Sequence, residues 1–188
     1  MADHTGKKTT RYEIREIDWS SAYSAIGEFV VEFEKIPKEL RFFYNVILQQ
    51  NGLKNWKLGS FLLHIETIGP IHLSLAVRAA IFTLHPDCKE LIEKADLVHK
   101  KTVELTKLRN EIAHGEWGIG PEVIYFTDSP KVPEQIGYKR KISKNGEIRR
   151  DLPTVAELHE ASKNVRELVR AINDIKVATV LKNAGKRE

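Results

Sequence analysis

Leu105-Thr106-Lys107-Leu108-Arg109-Asn110-Glu111-Ile112-Ala113-His114-Gly115 closes a long amphipathic helical pattern near the middle of the chain. Counting back from Ile112, the positions Leu105, Val98, Ala95 and Leu91 follow at steps of three, four or seven residues, which lays one apolar stripe along an α-helix. Arg109 falls in the same stripe. A guanidinium among Leu, Val and Ile must find an acceptor, face a water-filled cleft or approach a partner chain, because an unpaired buried charge costs several kcal/mol. Gly115 suits the helix stop, and Arg109 and His114 in the last turn oppose the negative end of the helix dipole, worth roughly 0.3–1 kcal/mol each.

The same periodicity runs through most of the chain. Asp18 can cap a helix beginning at Trp19, and Tyr23, Ile26, Val30, Phe33, Leu40, Phe43 and Ile47 form its apolar, largely aromatic stripe. Pro37 interrupts the run, so either one long kinked helix or two helices meeting near Ile36 is expected. Asn51-Gly52 ends it, and a second helical region spans about 56–84, split at Gly69-Pro70. Its second half, Ile71 to Leu84, is apolar nearly all round, the pattern of the most buried helix in a bundle. Pro86-Asp87 opens the helix that carries Arg109 and His114. Thr154 with Glu157 makes a capping box ahead of a last amphipathic helix through Val155, Leu158, Ala161, Val165, Leu168 and Ile172 to about Leu181.

Between these helices the composition changes. Trp117, Gly118, Gly120 and Pro121 break the helix, Val123-Ile124-Tyr125-Phe126 is a β-type run, and Asp128 to Gly137 is a loop with Pro130 and Pro133. Tyr138 to Ser143, then Lys144-Asn145-Gly146, then Glu147 to Asp151 reads as a hairpin about a type I′ turn. Lys139, Arg140, Lys141, Lys144, Arg149 and Arg150 crowd this hairpin against Glu147 alone. They are candidate RNA-binding residues on a basic flap, or else the charges that protect an exposed β edge, and the second reading is preferred.

The expected fold is therefore mainly all-α, an up-and-down bundle of four to five long helices with a small β-hairpin inserted before the last. The 188 residues divide into a flexible arm (1–17), one helical domain (18–181, with the β excursion at about 117–151) and a polar tail (182–188). With 41% hydrophobic and 30% charged residues, the chain is of ordinary globular composition. A net charge of +4 and a pI near 9.1 mildly favour an anionic partner. Cys88 is the single cysteine, which excludes an intrachain disulfide and a Cys-x-x-Cys metal pair. His64, His72 and His85 match no zinc spacing, so neither a metal nor another cofactor is expected. Met1 to Thr10 lacks the apolar run of a signal peptide, and no stretch is long enough to cross a bilayer, so a cytoplasmic location without a membrane partner is expected.

An Arg-to-His interval alone carries little weight. Arg78 and His85 are also close, yet Ala79, Ala80, Ile81, Phe82 and Leu84 between them read as an ordinary buried helix. Arg109-Asn110-Glu111-Ile112-Ala113-His114 adds a polar residue straight after the Arg and a place at the end of a long amphipathic helix. In this it resembles the HEPN (higher eukaryotes and prokaryotes nucleotide-binding) superfamily, whose signature is Arg, four to six residues, then His. The signature covers six positions, and the run of helices is similar to the family's all-α bundle over most of the chain.

The resemblance implies a metal-independent endoribonuclease, of the kind found in toxin–antitoxin or defence systems. His114 would move protons as an RNA 2′-hydroxyl attacks the neighbouring phosphate, an imidazole being suited to this by an unperturbed pKa near 6.5. Arg109 would stabilise the charge on the pentacovalent phosphate, and Asn110 would orient the substrate or one of the catalytic groups. Five residues along a regular helix turn it by about 140°, so Arg109 and His114 do not share a face. A homodimer that converges two copies of the motif in one cleft is the implied remedy. RNA and an antitoxin or regulatory protein are the other candidate partners. The rival expectation is a non-catalytic HEPN-like helical protein that binds nucleotides or proteins.

Overall fold

Pro37 stands in the first turn of a helix, where its missing N–H costs no hydrogen bond, while its ring crowds the carbonyl of Phe33 and ends the helix before it. The computed structural model describes residues 19–63, 68–114, 141–142, 148–149 and 153–184. In it α1 (Trp19–Phe33) and α2 (Lys35–Gln50) meet at Glu34, so the Pro37 interruption makes two helices. Glu34 keeps helical dihedrals (φ −64°, ψ −13°), and its N–H still reaches the Val30 carbonyl at 3.3 Å. The junction is one residue wide.

The remaining helices are α3 (Trp56–Leu63), α4 (Pro70–Leu84), α5 (Lys89–Ala113) and α6 (Val155–Ala184). The described residues are thus mainly helical, as expected of an all-α chain. A two-residue ladder joins β1 (Lys141–Ile142) to β2 (Ile148–Arg149) antiparallel, with Lys141 opposite Arg149 and Ile142 opposite Ile148. The arm over 1–17, the stretch Trp117 to Phe126, the loop Asp128 to Gly137 and the Asn145-Gly146 turn lie outside the described residues. Among the described residues no helix is long and apolar enough to cross a membrane.

Side-chain bonds set the directions of the helices. Glu28 accepts from Arg166, Glu39 pairs with Lys176, and Gln50 accepts from Asn183, so α1 and α2 rise along α6 in parallel. Ser74 meets His99 and Arg78 donates to Asp96, so α4 and α5 run antiparallel. Phe29, Phe43, Ile36, Leu40, Ile81, Leu158, Val165 and Leu168 lie at the centre of the core they enclose. Polar residues enter the same stripes without penalty because each hydroxyl bonds the carbonyl one turn back: Thr102 to Val98 at 2.8 Å, Thr106 to Thr102 at 2.7 Å, Thr179 to Ile175 at 2.8 Å.

Helix ends follow local chemistry. The capping box forms as expected, with Thr154 N–H donating to Glu157 Oε2 at 2.7 Å and Glu157 N–H donating to Thr154 Oγ1 at 3.1 Å. Pro86-Asp87 does not open α5. They are the middle of a turn closed by Cys88 N–H to His85 O at 3.0 Å, with Pro86 where a fixed φ is favoured, and the helix begins at Lys89 with Cys88 as its N-cap. At the other end of the chain, α6 continues past Leu181 to Ala184, so the polar tail is helical over its first three residues.

Two burial expectations are corrected. Tyr23 is exposed, and the buried stripe of α1 is Ala22, Ala25, Phe29 and Phe33, where small side chains let neighbouring helices come close. More consequentially, α4 is not the most buried helix. It packs against α5 and α2 through Leu73, Ser74, Val77 and Ile81, while Leu75 and Phe82 on the opposite side are 44% and 61% exposed. Two partners on adjacent faces leave the third side of a helix in solvent, whatever its hydropathy.

Glu28 clasps α1 to the start of α6. It accepts from Arg166 Nη1 at 2.8 Å and from His159 Nδ1 at 2.9 Å, and these bonds, Arg166 first, hold its carboxyl below the usual 4.5. A carboxylate depressed by folding contributes its full stability above the unfolded value and loses it as pH falls through the lowered one. Glu28 is a third exposed, so the contribution is at most about 1 kcal/mol. Glu28→Gln is accordingly expected to be less stable than wild type at neutral pH in urea melts, with a gap that narrows as the pH falls below the ordinary carboxylate range. A gap that stays the same as the carboxylates become protonated would contradict the clasp.

Candidate functional site

The 25 residues of α5 make a rod about 37 Å long, and its C-terminal turns are anchored by Leu105, Leu108 and Ile112. Arg109 lies 18 positions after Leu91, five full turns, and so returns to the azimuth that faces the core. It interrupts an apolar stripe that resumes at the buried Ile112. The Arg109 side chain is 35% exposed, and its Nη2 stands 3.8 Å from Glu34 Oε1 at the α1–α2 junction. Of the three outcomes open to a guanidinium in this stripe, the protomer supplies the acceptor.

Asn110 is exposed on the neighbouring face. His114 is the C-cap of α5: its N–H bonds the Asn110 carbonyl at 3.0 Å, and its dihedrals (φ −111°, ψ 7°) leave the helix. The imidazole is exposed. The motif therefore sits at a surface, with Arg109 turned toward the exposed Glu34 and His114 carried out past the last helical turn. The structure joins Arg109 to an acidic residue 75 positions earlier (109 − 34) that the periodicity did not single out.

Of the residues on the basic excursion, Lys141 and Arg149 are opposed in the β1–β2 ladder, and Lys139, Arg140, Lys144 and Arg150 lie outside the described residues. Among the described residues no group of three or more His, Cys, Asp or Glu is placed to hold a metal ion. His72 is exposed, and His85 is buried at the C-cap of α4.

Two contacts elsewhere have chemical interest. Ser74 Oγ meets His99 Nδ1 at 2.9 Å, a serine with a base partner that spacing did not disclose. Ser74 is 1% exposed and donates its proton to Ile71 O at 2.8 Å, so the hydroxyl accepts from His99 and ties α4 to α5. At the far end of α5, Lys182 Nζ donates to Cys88 Sγ at 2.9 Å, which together with the Leu91 N–H pulls the thiol below its ordinary 9.0. A larger thiolate fraction follows. Alkylation of Cys88 by iodoacetamide at neutral pH is expected to slow roughly two- to tenfold in Lys182→Met, followed by mass spectrometry; equal rates would contradict the pairing.

Comparison of the chain with family models, with curated proteins and with solved structures finds no match.

Proposed function

We propose that this chain is a HEPN-like metal-independent endoribonuclease whose site is completed by a second copy. The observation that carries the reading is the position of Arg109 and His114: both side chains reach the surface at the C-terminal end of α5, Arg109 about a third exposed beside Glu34 and His114 beyond the last turn. Within a protomer they diverge, and a two-fold contact at this end of α5 would bring both copies together in one cleft. The mainly helical character of the described residues is consistent with the same reading.

In the proposed reaction His114 takes the proton of a 2′-hydroxyl, the 2′ oxygen attacks the adjacent phosphorus, and the bond to the 5′ oxygen breaks. The products are a 2′,3′-cyclic phosphate and a 5′-hydroxyl, whose proton comes from water while the imidazolium returns its own to solvent. Arg109 holds the added charge with its fork of donors, and Asn110 orients the phosphate or the imidazole. Basic residues about β1 and β2 would extend the contact along the RNA. A toxin–antitoxin or defence role follows from the same reading.

RNA breakdown by wild type that disappears in folded, dimeric His114→Ala and Arg109→Ala supports the proposal; undiminished activity in both variants overturns it. The alternative is a non-catalytic HEPN-like binding protein. The exposed Leu75 and Phe82 on α4 favour it, being the kind of surface a protein partner covers. Binding of RNA or protein without cleavage would establish that alternative.

A further inference from the structure

The reading above assigns phosphate charge to Arg109, and in the folded chain that guanidinium already faces a carboxylate. Glu34 Oε1 is 3.8 Å from Arg109 Nη2. Glu34 is the single residue between α1 and α2, its side chain makes no cap hydrogen bond, and it is more exposed than its partner, 59% against 35%. Lys35, next in sequence, is engaged by Glu32 at 2.7 Å. The contact is longer than the roughly 2.7–2.9 Å of a charge-assisted hydrogen bond, so Coulomb attraction holds it and little bonding geometry is given up when it opens.

A carboxylate and a phosphodiester present the same feature to a guanidinium, anionic oxygens that meet a planar fork of donors. They cannot both take the same edge of Arg109 without like-charge repulsion. We infer that Glu34 is the resting counterion of Arg109 and a built-in competitor that an RNA phosphate must displace. The inference rests on reading Arg109 as a phosphate-binding group. Glu34 then sets how anionic a ligand must be to occupy the site, and the one-residue junction lets its side chain move away without disturbing either helix.

The test uses the full chain and a fluorescein-labelled single-stranded oligoribonucleotide with 2′-O-methyl sugars, which lacks the nucleophile and cannot be cleaved. Anisotropy titrations at low salt compare wild type, Glu34→Gln, Arg109→Ala and the double variant. Exposed ion pairs have small energies, so Glu34→Gln is expected to bind roughly two- to fivefold more tightly than wild type, and the gain is expected to vanish when Arg109 is alanine. Unchanged or weaker binding in Glu34→Gln, including no binding by either protein, overturns the inference. So does an equal gain in the Arg109→Ala background, which would mark a general charge effect.

Cleavage is measured separately on the all-ribose oligonucleotide. An Arg109-dependent gain in affinity without cleavage upholds the counterion and removes the nuclease; cleavage with no change in Glu34→Gln affinity does the reverse.

Discussion

His114→Ala is expected to lower the rate of RNA cleavage by roughly 10²–10⁴-fold, the span over which a positioned general acid–base acts. Arg109→Ala is expected to cost roughly 10²–10³-fold, the loss typical of one preorganised group on a developing oxyanion. Neither change removes a core contact: His114 is exposed past the last turn of α5, and Arg109 is partly exposed beside Glu34. Thermal melting should therefore stay close to wild type while activity falls. Initial rates on a fluorogenic oligoribonucleotide, measured beside melting curves, separate the two effects. A loss of activity that merely tracks a loss of folded protein would remove the catalytic roles.

Phe29→Ala is the complementary case, in which stability falls instead. Phe29 is fully buried in α1 and its ring lies 6.1 Å, centroid to centroid, from that of Phe33 in a tilted pair. Truncation forfeits the transfer energy of the ring and leaves a cavity beside helices too rigid to fill it, a loss of about 3–5 kcal/mol. Tyr23→Ala, on the exposed side of the same helix, is expected to change stability by less than about 1 kcal/mol. Urea unfolding of the pair checks the corrected stripe, and equal losses would contradict it.

The helices were legible because their signals are local. The step pattern of Leu91, Ala95, Val98, Leu105 and Ile112 gives α5, the Thr154–Glu157 box starts α6, and Pro37 marks the break beside Glu34. Burial was less legible, since hydropathy says which residues can be covered and not how many neighbours arrive to cover them. Leu75 and Phe82 on α4 are the case in point. Of the candidate site, Arg109 stood out as a charge in an apolar stripe, while Asn110 and His114 were named only through the HEPN resemblance. The Glu34 partner of Arg109 and the Lys182 partner of Cys88 could not be named, because contacts between distant positions are created by packing and leave no mark on local sequence.

The proposal depends most on a site shared between two copies, and mixing the two inactive variants tests that directly. Arg109→Ala and His114→Ala proteins, separately dead, are combined, and heterodimer formation is verified by light scattering and differential tags. In such a heterodimer one copy keeps Arg109 and the other keeps His114, so a shared site is predicted to recover a substantial fraction of wild-type cleavage. A verified heterodimer as inactive as either parent would contradict the account.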